Sequence, residues 1–117
     1  MDSILNDVKD YIGISSDVTA FDNDIVMSIN AIMFVINQFG IGPTNPFVVE
    51  NTTQKWSDLL GEDPVGGVQE YVKMRVRLLF DPPSNNQLMA ALKEQIAEFE
   101  WRILAEADKK DYEEVET

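Results

Sequence analysis

Two adjacent prolines, Pro82 and Pro83 in "LLFDPPSNNQ", constrain the chain most, because they separate its two most regular helical patterns. Proline has no backbone N–H to donate and its ring obstructs the preceding helical turn, while Asp81, as the residue before a proline, is biased away from helical geometry. The backbone must turn here. Ser84-Asn85-Asn86-Gln87 then matches the capping box S-x-x-Q. The stretch therefore predicts a corner: a helix from Val68 to Phe80, then a second one starting after the prolines and periodic to about Ala107.

The remaining segments follow from the same signals. Ser3 is placed to cap a first helix running to about Ile12, with Ile4, Leu5, Val8, Tyr11 and Ile12 on one side and Gly13 ending it. Thr19 and Asp22 form an S/T-x-x-D start, and apolar periodicity runs from Phe21 to Phe39 before Gly40 stops it. "GIGPTNPFVVENTTQKW" surrounds the β-prone Phe47-Val48-Val49 with glycine and proline, so it reads as a long loop or small β-hairpin and as the best candidate for a mobile element. A short helix follows around Gln54 to Leu60. Asp63 and Pro64 have the chemistry of a helix cap and first-turn proline. The fold class is mainly α: a compact bundle of about four to five helices with a long loop between the second and third. Residues 1–107 form this domain and 108–117 an acidic tail, expected to stay disordered until it docks.

Composition removes whole classes of function. A chain of 117 residues is one domain by length and buries enough surface to fold without disulfides. It has no cysteine and no histidine, hence no thiolate nucleophile and none of the commonest general base and metal ligand. Ordinary hydrolytic or metal-dependent catalysis is not expected, and no cofactor. Phosphate loops, nucleophile elbows and zinc or calcium spacings are missing. Asp22-Asn23-Asp24 opens like a cation loop, but Val26 and Met27 follow where oxygen ligands are required, so it reads as helix capping. The amino terminus lacks the pattern of a signal peptide and no apolar run is long enough to cross a bilayer, so a soluble protein without membrane contact is expected. A net charge of −12, from 21 acidic and 9 basic residues, repels phosphate backbones and argues against nucleic-acid binding.

The helices carry more than one apolar face. Ile25, Ile29, Ile32, Ile36 and Phe39 make one stripe, while Met27 and Phe34 lie nearly opposite. In the last helix Leu88, Leu92, Ile96, Phe99 and Ile103 make one stripe, and Ala90, Ala97, Trp101 and Leu104 gather on the other side. Either both helices are central to the bundle and meet neighbours within the chain, or the second faces are subunit interfaces. Arg75 falls within the core stripe of Val68, Val72 and Leu79, so it either reaches out at the rim or fixes register through a carboxylate on another helix or subunit. The candidate interface set is Met27, Phe34, Arg75, Trp101 and Leu104. Glu94, Glu98 and Glu100 read as a solvated helix face.

The run "YVKMRVRLLFDPPSNNQLMAALKEQIAEFEWRI", preceded by "ILNDVKDYIGI", "FDNDIVMSINAIMFVINQFGIGP" and "KWSDLLG", resembles the head-tail connector (adaptor, or head completion) proteins of tailed bacteriophages over about Ser3 to Ala105. That resemblance implies a structural virion protein of the neck, made in the host cytoplasm, and not an enzyme. It implies a homo-oligomeric ring, a dodecamer in that family, beneath the portal protein. The ring extends the DNA channel, helps retain packaged DNA and offers a surface to a stopper or tail protein. DNA passes through its lumen without sequence-specific binding. By position it also implies portal docking for the tail residues Asp108, Lys109, Lys110, Asp111, Tyr112, Glu113, Glu114 and Val115. The alternative function is a small acidic DNA mimic that blocks a basic host or phage protein.

Overall fold

The computed structural model describes residues 3–61 and 67–116, with side chains described as far as residue 106. Five helices follow in order: α1 (Ile4–Ile12), α2 (Asp22–Gln38), α3 (Trp56–Leu60), α4 (Val68–Phe80) and α5 (Asn86–Glu116). Among the described residues the chain forms no strand, and its one β-bridge joins Ser3 to Lys55. The expected bundle is therefore the observed one. Asp63 and Pro64, proposed as a cap, lie outside the described residues.

Local signals explain most of the boundaries. Ser3 Oγ accepts from the Asn6 N–H at 3.3 Å, and Gly13 ends α1 with φ 96°, the left-handed conformation that glycine adopts without a Cβ clash. Two caps differ from expectation. Residue Phe21 occupies the cap of α2 with no side-chain bond, and Thr19 contributes only its backbone carbonyl, which accepts from Asp22 N–H at 3.2 Å. At the double-proline corner Asn85, rather than Ser84, caps α5: its Oδ1 accepts from Gln87 N–H at 2.8 Å and Leu88 N–H at 3.1 Å. Both residue types cap well, and Asn85 is the one whose register lets it reach two orphan donors.

The core lies where α4 packs against α2, α1 and α5. Ile4, Leu5 and Val8 of α1, Ile25, Ile29, Ile32, Met33 and Ile36 of α2, and Val68, Tyr71, Val72, Met74 and Val76 of α4 are buried. Leu92, Ile96 and Ile103 of α5 close it. Leu79 and Leu88, both expected in the core, are instead exposed. They stand one on each side of the double-proline corner, where the two helices run past the last residues able to cover them. Tyr11 is likewise partly exposed, at 39 %.

The loop between α2 and α3 is anchored rather than free. Asn30 clamps it in both directions, donating Nδ2 to Val49 O at 2.9 Å and accepting from Val49 N–H at 2.8 Å. Asn37 Nδ2 donates to Pro43 O at 2.9 Å. Ile41 and Val49 are buried, and Gly42 (φ 87°) lies so close to α3 that a Cβ there would meet Leu59 Cδ1 at 3.0 Å. Side-chain amides on α2 thus supply the backbone bonds that a hairpin partner strand would otherwise provide.

Candidate functional site

Among the described residues, several large apolar side chains stand exposed on the finished bundle. Met27 and Trp101 are each 71 % exposed, Phe34 is 55 % and Leu104 is 37 %. Their opposite faces fill the core, so these side chains are left over once the bundle is complete. Among the described residues these four side chains remain exposed in the single chain. Met27 and Phe34 belong to α2 and Trp101 and Leu104 to α5, two helices that each pack on α4.

Arg75, the fifth residue of the expected set, is engaged inside the chain. Its guanidinium donates to Tyr71 Oη at 2.8 Å and lies 3.9 Å from Glu100 Oε2, while Tyr71 Oη donates to that same carboxylate oxygen at 2.9 Å. A residue on the core stripe of α4 thus tethers α4 to α5, and Glu100 leaves the solvated face assigned to it. Burial first, and then the bond to Glu100, push the Tyr71 phenol up to about 12. Phe39 stacks obliquely on Tyr71, with ring centroids 6.1 Å apart, and shields it further.

Two further polar knots hold the elements that carry the faces. Asp7 Oδ2 accepts from Trp56 Nε1 at 2.9 Å and pairs with Lys73 at 3.4 Å, tying α1, α3 and α4 together. Lys9, at 1 % exposure, is a buried cation that sequence patterning missed. Its Nζ donates to Val18 O at 2.6 Å and Ser16 O at 3.3 Å and forms an ion pair with Asp22 Oδ1 at 2.8 Å, so the buried charge is both hydrogen-bonded and neutralised. Its position next to Val8 on a short helix followed by "SSD" gives no hint of this, since the acceptors are loop carbonyls created by the turn into α2.

Beside Trp101 a groove of about 600 Å³ is lined by Gly67, Phe99, Trp101, Arg102, Ala105 and Glu106. Gly67 caps α4 with φ 88°, and a Cβ at this position would press on Phe99 Cδ2 at 3.1 Å. Phe99 was assigned to the core stripe alone; it also walls this groove. A second missed signal was legible: residues 25–49 contain no Asp, Glu, Lys or Arg in a chain whose net charge is −12. The tail candidates Asp108, Lys109, Lys110, Asp111, Tyr112, Glu113, Glu114 and Val115 have side chains outside the described residues.

No helix among the described residues is long and apolar enough to cross a membrane. No curated protein and no solved structure matches the chain. A family model described as phage connector protein matches residues 4–110. With nearly the whole helical bundle covered by that match, the chain belongs to the phage connector protein family.

Proposed function

We propose that this connector is a subunit of a homo-oligomeric ring that docks beneath the portal of a phage head, extends the DNA channel, helps retain packaged DNA and receives a stopper or tail protein. The observation that carries the ring is the pair of uncovered apolar faces on α2 and α5. A closed ring joins unlike surfaces of successive copies, and two separate anchor sets on different helices supply them. The virion neck is the corresponding location, and the family's structural role leaves no catalytic step to assign. The acidic tail, 108–117, is the proposed portal contact.

The charge has a place in this reading. A net charge of −12 lets a channel wall repel passing phosphates, over a range of about 8 to 10 Å at physiological salt. The DNA-mimic alternative draws on charge alone and leaves the apolar faces without a purpose.

Mixing the chain with its portal protein, followed by electron microscopy, tests the proposal. Rings of this chain seated on the portal are expected, and removal of residues 108–117 is expected to abolish seating. A chain that never binds the portal would overturn the assignment.

A further inference from the structure

We propose that, within such a ring, the outer face of α2 in one copy docks in the groove beside Trp101 on α5 of the next. This pairing rests on the ring reading above and specifies its interface.

Charge selects the α2 face. Two copies, each at −12, meet against like-charge repulsion, and any carboxylate trapped between them must also lose its water. The exposed residues of α2 after its first turn, Met27, Ala31, Phe34 and Gln38, are all uncharged and belong to the charge-free stretch 25–49. Met27 and Phe34 are seven residues apart, about 10 Å along the helix, and project as two anchors from this neutral surface.

The α5 groove suits such anchors. Phe99, Trp101 and Ala105 supply its apolar surface, and the lining carboxylate Glu106 meets an α2 face that adds no second negative charge. Arg102 is already paired with Glu98 at 2.8 Å, so this guanidinium asks no counter-charge of an incoming neutral helix. Symmetry then favours pairing α2 with α5. If α2 docked on α2, a two-fold dimer would close and Trp101 would stay in water. Heterologous pairing covers Met27, Phe34 and Trp101 of every copy with one repeated interface, as large exposed apolar side chains require.

The chain has no cysteine, which makes a selective test possible. Ala31→Cys and Ala105→Cys alter small residues beside the anchors and leave Phe34 and Trp101 intact. The double variant, assembled on the portal and treated with a short bismaleimide, is expected to give a ladder of covalent oligomers. Each single variant is expected to give at least tenfold less cross-linked product. Dimers from the Ala31→Cys variant alone would show α2 docked on α2 and overturn the pairing. So would cross-links to the portal, or rings visible by microscopy without any ladder, both of which leave the ring itself standing. Absence of rings in the unmodified protein would overturn the ring reading, and the pairing with it.

A second measurement keeps the anchors themselves in view. Phe34→Glu and Trp101→Glu are each expected to reduce ring formation at least tenfold. Mixed together they retain one intact α2 face and one intact groove, so they should form dimers that neither forms alone. Failure of the mixture to associate, with both variants folded by circular dichroism, contradicts the pairing.

Discussion

Lys9 shows how far a single residue can depart from its usual behaviour when its donors are matched. Its ammonium is buried, yet it donates to the Ser16 and Val18 carbonyls and pairs with the Asp22 carboxylate. Removing it with Lys9→Ala strands the Asp22 carboxylate and two carbonyls, and is expected to cost about 3 kcal/mol in urea denaturation. A loss under about 1 kcal/mol would mean that water replaces the ammonium without penalty. The cap of α5 offers a finer comparison between neighbours. Asn85→Ala should cost about 1 kcal/mol, whereas Ser84→Ala should change stability by no more than a few tenths. The opposite order in thermal melts would restore the Ser84 box read from the sequence.

Among the elements, α4 has the most to organise, and its link to α5 has a pH signature. Tyr71 is raised from 10.0 to about 12 by burial and by its bond to Glu100. Below pH 10 the phenol is protonated in both folded and unfolded chains, so its contribution is complete. Between about 10 and 12 the unfolded phenol ionises first, and stability falls as pH rises, with a slope of up to about 1.4 kcal/mol per unit. Tyr71→Phe is expected to lower stability at neutral pH and to flatten this alkaline limb in denaturation curves taken from pH 9 to 12. An unchanged limb would remove Tyr71 as its source. The same helix ends at the double-proline corner, which the structure leaves flanked by the exposed Leu79 and Leu88. Its work is to redirect the backbone at the rim of the core.

At the scale of the molecule, α5 contributes 31 residues, about 46 Å of helix, and so spans most of the 49 Å long dimension. A partner that meets its outer side can contact several turns at once. Because every copy is strongly acidic, self-association is expected to strengthen as ionic strength rises from about 10 mM to 150 mM, where screening shortens from about 30 to 8 Å. Analytical ultracentrifugation, or counting of portal-bound rings, can follow this. An acidic inhibitor bound to a basic protein would show the reverse, weakening steeply with salt.

Helix existence, order and approximate ends were legible in the sequence because they depend on local properties: proline's missing donor, glycine's freedom and the period of apolar residues. The corner at Pro82-Pro83 and the span of α4 needed nothing further. The surplus apolar residues Met27, Phe34, Trp101 and Leu104 were legible too, since a helix can turn only one face to a single neighbour. How far along each helix the core stripe stays covered was not legible. That depends on where the core runs out, as Leu79 and Leu88 show by matching the stripe and still meeting solvent. Nor could sequence join Tyr71, Arg75 and Glu100, place three oxygens around Lys9, or bind Val49 to Asn30. Those partners are distant along the chain, or are backbone carbonyls that any residue could offer, and only the packing of α1, α2, α4 and α5 brings them within hydrogen-bonding reach.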